Sequence, residues 1–129
     1  MMLYSIKNTN DIHDFLHHTN LLHDGYVVEI KYMNNGISKI EDGHRFEPAK
    51  TKLVLQILVT SMCDAMVEIE FENLLDWQIQ GNQRSIFGAS VSFNKENLIV
   101  WTDDMYTSAE EMKKGSYVIA ESMKWRMVE

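Results

Sequence analysis

Residues 13–25, HDFLHHTNLLHDG, hold the densest group of side chains able to bind a metal or move a proton. They are His13, His17, His18, His23, Asp14 and Asp24, with Asp11 just upstream. On a helix, His13 and His17 stand at i and i+4, so both imidazoles can point to one side, as metal-binding pairs do. Asp14 and His18 repeat that spacing, and His23 or Asp24 could add a third ligand from the following turn. The companion of established two-histidine motifs is missing: where H-E-x-x-H has a glutamate, this chain has Asp14, one methylene shorter. The competing expectation is a solvated helix face followed by polar turn residues.

The second half of that stretch has chemistry of its own. Asp24-Gly25 is turn chemistry, because the carboxylate can accept local backbone N–H groups and glycine tolerates positive φ. Two further acidic groups stand out. Glu68, Glu70 and Glu72 in MVEIEFEN project to one face of a strand at about 7 Å spacing, which invites basic partners, within the chain or on another protein. Asp103 and Asp104 in WTDD follow a strand, but adjacent residues do not make the separated carboxylate pair of a glycosidase, and loop capping is the expected use. The single cysteine, Cys63, excludes an internal disulfide and is expected to be a buried or half-buried apolar group. No phosphate loop, nucleophile elbow or dinucleotide fingerprint is present, and no cofactor is expected.

The charge balance limits the partners. Twelve Lys and Arg against 19 Asp and Glu give a formal charge of −7, and no basic cluster interrupts it, which disfavours nucleic acid. The longest apolar stretch, LVLQILV at 53–59, is far short of the ~18 residues that cross a bilayer. The opening MMLYSIKNTN lacks the features of an export signal, so a cytoplasmic, non-membrane protein is expected. At 129 residues, with one proline (Pro48) and no repeat or linker, the chain reads as a single domain over 1–129.

The elements that must position these residues are mostly strands. Ile12, Phe15 and Leu16 at i, i+3, i+4 behind an Asn or Thr cap predict a short helix. Ser108 and Glu111 have capping-box spacing and open a second helix that ends at Gly115. GYVVEIKYM runs into NNG, a hairpin signal. TKLVLQILVT and AMVEIEFEN form the next pair. With SMCDA as the loop, Thr60 faces Met66; Leu55, Ile57 and Val59 then lie opposite Phe71, Ile69 and Val67 on the core face, and Gln56 and Leu58 opposite Glu70 and Glu68. LLDWQIQ and RSIFGASVSF flank a GNQ turn, with Phe87, Ala89, Val91 and Phe93 expected on one face. The closing SYVIAESMKWRMVE places Tyr117, Ile119, Met123, Trp125 and Met127 together, with a bulge or bend at Glu121. The fold class is therefore α+β and β-rich: a curved, mainly antiparallel sheet or sandwich of seven to eight strands with two short helices.

The stretch LHDGYVVEIKY, with loose similarity in strand order and in the closing MKWRM, resembles the start of several small bacterial single-domain families. Some of these are classed as immunity proteins of polymorphic toxin systems. The resemblance implies that His23, Asp24 and Gly25 form a signature that locks a turn, and it carries over no catalytic residue. Three functions follow as expectations. The first is a non-enzymatic, immunity-like binding protein that meets a basic protein, such as a toxin, through Glu68, Glu70 and Glu72. The second is a small metal-dependent hydrolase built on His13, His17, His23 and Asp24. The third is a structural homo-oligomer assembled through exposed strand edges.

Overall fold

Strict alternation of buried and partly exposed side chains from Thr51 to Val59 builds the middle of the protein, seen in a computed structural model that describes residues 3–47, 50–81 and 85–128. The chain order is β1 (Tyr4–Ser5), α1 (Thr9–His18), β2 (Gly25–Asn34), β3 (Ile37–Ile40), β4 (Gly43–Phe46), β5 (Thr51–Val59) and β6 (Ala65–Gln78). It continues through β7 (Ser90–Phe93), β8 (Ile99–Thr102), α2 (Ala109–Met112) and β9 (Tyr117–Val128). Seven strands form one antiparallel sheet in the order β2-β5-β6-β9-β8-β7, with β1 added to β9; β3 and β4 form a separate two-stranded ribbon. The α+β, mainly antiparallel class read from the sequence is the class observed. No helix among the described residues is long and apolar enough to cross a membrane.

The odd face of β5 and β6 is the core face, as the alternation requires. Leu53, Leu55, Ile57, Val59, Val67, Ile69 and Phe71 are all fully buried, each side chain contributing about 1.5–3 kcal/mol. The register differs from the expected one. Leu55 lies opposite Ile69, Gln56 opposite Glu68 and Val59 opposite Ala65, so the turn is 60–64 rather than 61–65. Thr60 leaves the ladder because its N–H and hydroxyl both donate to the Asp24 carbonyl, at 3.3 and 2.8 Å. Left-handed Cys63 and Asp64, φ 55° and 61°, close the turn. The shift keeps every side chain on its expected face.

Two strand pairings depart further from expectation. The NNG segment does not join a hairpin, since β2 pairs with β5, from Gly25↔Val59 to Asn34↔Thr51. Instead the Asn34 Oδ1 accepts from the Gly36 N–H at 3.0 Å and the chain leaves the sheet. The reversal comes at Glu41-Asp42-Gly43, where β3 and β4 pair from Ile37↔Phe46 to Ile40↔Gly43. Similarly, LLDWQIQ opens no separate strand: Leu74–Gln78 are the end of β6, continued through an irregularity between Leu74 and Asp76, and Ile79 and Gln80 lie beyond it. Pro48 and the Asn82-Gln83 part of the GNQ turn lie outside the described residues.

β9 is the central strand. One edge pairs with β6 along its length, while the other is shared, Tyr117–Ala120 with β8 and Lys124–Trp125 with β1. Its core face changes phase midway: Val118 and Ala120 are buried, then Met123 and Trp125. Tyr117 and Ile119 are therefore not on the face of Met123. The switch falls at Glu121, whose carboxylate accepts from Asn73 Nδ2 at 3.0 Å across the sheet, with Asn73 itself at φ 61°.

Both helices have the expected caps: Asn8 Oδ1 accepts from the Asp11 N–H at 2.9 Å, and Ser108 Oγ from the Glu111 N–H at 3.1 Å. α1 lays Ile12 and Phe15 onto the core, with the Phe15 ring 5.4 Å from that of Trp125. Trp101 is wholly buried against Phe71, and Trp77, half-buried, stacks on Tyr32. Phe87 is a correction: Ala89 and Val91 face the core, but Phe87 is 74% exposed. The segment before β7 is not in strand conformation except for one bridge at Ile86, so the alternation expected from RSIFGASVSF begins only at Ala89. Phe71→Ala should cost about 3–5 kcal/mol in urea unfolding. Phe87→Ala should stay within about 0.5 kcal/mol, an outcome that the expected alternation would not give.

Candidate functional site

The His23-Asp24-Gly25 segment is a clasp between the two ends of the sheet. It follows a left-handed turn in which Asn20, Leu21 and Leu22 take φ 52°, 59° and 53°, each costing roughly 1–2 kcal/mol for a residue other than glycine. Burial of Leu22 and four surrounding contacts offset that strain. Leu21 O accepts from the Ala89 N–H at 2.7 Å, and the Asp24 N–H donates to Ile86 O at 2.9 Å. The His23 Nδ1–H donates to Phe87 O at 2.6 Å, and the Ser61 hydroxyl donates to His23 O at 2.5 Å. Gly25 then pairs with Val59 on one side and bridges Ile86 on the other. A Cβ on Gly25 would lie 2.7 Å from Leu22 O and 3.0 Å from Ile57 Cγ2, which is why glycine stands there. His23 Nε2 is 3.6 Å from Asp24 Oδ2, and both side chains stay largely in solvent. The arrangement is structural in every contact it makes.

The acidic stripe is neutralised within the chain. Arg126 Nε donates to Glu68 at 2.7 Å, and Gln56 Nε2 donates to the same carboxylate at 2.8 Å. Lys52 Nζ reaches Glu70 at 2.9 Å and Lys124 Nζ reaches Glu72 at 3.4 Å. Arg126 faces Glu68 directly, while the lysines cross diagonally, since Lys52 lies opposite Glu72 and Lys124 opposite Glu70. The hydrogen bond to Glu70, opposed by burial, holds the Lys52 ammonium above its ordinary pKa of 10.5. The Arg126 guanidinium is likewise raised by its hydrogen bond to Glu68. A signal for this ladder does exist in the sequence: Lys52, Lys124 and Arg126 occupy the outward positions of the two strands that flank β6.

The remaining candidates do not converge. His13 and His17 are one turn apart and exposed on α1; the His18 Nδ1–H donates to Asp14 O at 2.8 Å. Among the described residues no group of three or more His, Cys, Asp or Glu is placed to hold a metal ion. Cys63 is exposed, not buried, because its left-handed turn position turns it outward. Asp103 is buried and accepts from the Tyr106 hydroxyl at 2.5 Å and the Ser116 N–H at 3.1 Å. Asp104 Oδ1 accepts from the Met105 N–H. The two carboxylates of WTDD thus hydrogen-bond within the fold, Asp103 to the loop at Tyr106 and to Ser116 just before β9, and Asp104 to the next backbone N–H. Tyr117, buried and donating to Asp76 at 3.0 Å, has its phenol pushed up from 10.0, first by burial and then by that hydrogen bond.

What the sequence did not mark is the open seam. Beyond the Gly25–Ile86 bridge, no described residue pairs with the outer edge of β2. Ile30 and Tyr32 lie opposite Leu55 and Leu53 and so share the core face, yet they are 46% and 47% exposed. The cover over that face ends before it reaches β2. A cleft of about 410 Å³ opens there, lined by Val27, Val28 and Ile30 from β2 and by Ile79, Ile86, Asp103 and Ser116. The β3–β4 ribbon that follows β2 is exposed throughout and carries Ile37, Ile40 and Phe46 outward. A strand edge of this kind, beside half-exposed apolar side chains, offers main-chain hydrogen-bonding groups and apolar surface to which another polypeptide can add. Comparison of the chain with protein-family models, with curated proteins and with solved structures finds no match.

The clasp and the ion-pair ladder can each be tested by unfolding. Gly25→Ala should lower stability by about 1–3 kcal/mol or more through the backbone clash, while Asp24→Gly, at φ 57°, should change it by under about 1 kcal/mol. A pH dependence is also expected. Folding raises the pKa of both Tyr117 and Lys52, so it favours their protonated forms. Their contribution is complete below the ordinary values of 10.0 and 10.5 and is lost as pH climbs through the raised ones. Chemical unfolding should therefore show stability falling above about pH 10, less steeply in Tyr117→Phe.

Proposed function

We propose that the protein is a non-enzymatic protein-binding module, immunity-like in acting by occupying a partner's surface, and that it binds through the β2 edge and the adjoining cleft. The observation that carries this reading is Ile30 and Tyr32, core-face side chains left half-exposed on a strand whose outer edge, beyond Gly25, is paired with none of the described residues. The net charge of −7 favours encounter with basic partners, such as a cationic toxin, at long range. Glu68, Glu70 and Glu72 contribute to that field, but a partner that engaged them directly would have to displace Lys52, Lys124 and Arg126.

The test is site-resolved capture. A partner recovered with the intact chain and identified by mass spectrometry should be lost with Ile30→Lys or Tyr32→Ser and retained when Glu70 is replaced by Gln. Loss with the Glu68, Glu70 and Glu72 replacements alone, with β2 variants still binding, would move the site to the acidic stripe and overturn this placement.

A further inference from the structure

We infer that the occupant of the β2 edge is β2 of a second copy of this chain, paired antiparallel about Ile30. The inference rests on the reading of the β2 edge as a protein-binding surface and places a second copy there instead of a foreign basic protein, with local charge pairing rather than net charge as the attraction. β2 carries two charged side chains, Glu29 and Lys31, which lie opposite Gln56 and Val54 on the outer face. Unlike the glutamates of β6, neither is in an ion pair among the described residues. They flank Ile30, one on each side, with opposite sign.

That arrangement selects one register. A two-fold axis normal to the sheet, as needed for one continuous sheet, pairs residues of the same face, so their numbers sum to an even value. A register centred on Glu29 sets the two copies' Glu29 side chains against each other, and one centred on Lys31 does the same for lysine. A register centred on Tyr32 places Lys31 opposite Met33 and leaves Glu29 without a cation. Centring on Ile30 alone puts Glu29 opposite Lys31 of the second copy, and Lys31 opposite its Glu29. The same register sets Ile30 against Ile30 and brings Tyr32 beside Val28, the extra residue of the irregularity, so that the three most exposed apolar side chains of β2 lie at the junction. Charged residues normally guard a free edge against pairing; this pair is self-complementary and guards only against other registers. The irregularity between Val27 and Glu29 bounds the regular pairing at one end of each strand.

Sedimentation velocity and light scattering on the purified chain test this over a concentration series. Twice the chain mass is expected at high concentration. Glu29→Lys and Lys31→Glu should each weaken the dimer about tenfold, because two cross-strand attractions become repulsions. An equimolar mixture of those two variants should associate again, since a chain with lysine at both positions then faces one with glutamate at both. The double exchange in one chain should restore self-association. Circular dichroism and urea unfolding of each variant confirm that loss of mass is not loss of fold. A wild-type chain that stays monomeric, a dimer unmoved by either single change, or failure of the mixture to re-associate would overturn the inference. A monomer that still captures a foreign partner through Ile30 and Tyr32 would remove self-pairing alone. A monomer with no edge-dependent partner would remove both readings.

Discussion

The contact on which the architecture turns is the meeting of Gly25 with Ile86. Strand twist curves an antiparallel sheet, and here β2 approaches the segment that leads into β7 without closing the sheet. Among the described residues, one backbone bridge joins the start of β2 to Ile86, in the segment that leads into β7. To reach it, the chain leaves α1 through three consecutive left-handed residues and enters β2 at a glycine that has β5 on one side and the Ile86 backbone on the other. Because no other described residue pairs there, the seam above it stays open among the described residues. The cleft, the uncovered face of Ile30 and Tyr32 and the free edge of β2 all result from that one limited closure.

The outer face follows a different rule. On β5, β6 and β9 each glutamate of the stripe has a cation from a neighbouring strand, and the ladder ties three strands together by side chains as well as by backbone. At β2 the pattern stops, and Glu29 and Lys31 stand beside the edge without an ion-pair partner among the described residues. Charge that is satisfied internally rigidifies a sheet, while charge left over at a boundary sets which neighbour the boundary accepts. The two halves of the outer face thus differ in chemistry although their composition is alike.

The central strands were legible because their burial period is two and uninterrupted: Leu53 to Val59 and Val67 to Phe71 can face the core in only one way. Partner and register were less legible. Asn34-Asn35-Gly36 carries a strong local turn signal, but such a signal says that the chain bends, not which strands then pair, and β5 won β2 through the non-local burial of Leu53 and Leu55. The exposed ribbon around Asp42-Gly43 left no amphipathic mark, since neither of its faces is buried. Asn20–Leu22 was unreadable for an opposite reason: leucine in a left-handed turn runs against its own preference and is held there only by tertiary contacts. His23 was visible as a polar turn residue, whereas its acceptor, the Phe87 carbonyl, lies 64 residues away.

The placement of β9 has a consequence for how the chain reaches this state. It is the central strand of the sheet, yet it follows every other strand in chain order. While a ribosome is extending the chain, β2-β5-β6 and β7-β8 emerge as two separate fragments, and β1 waits for a neighbour made more than a hundred residues later. The edges of β6 and β8 are then both bare, and both are apolar on one face. The interval before β9 arrives is the period of greatest exposure to aggregation and of greatest use to a chaperone.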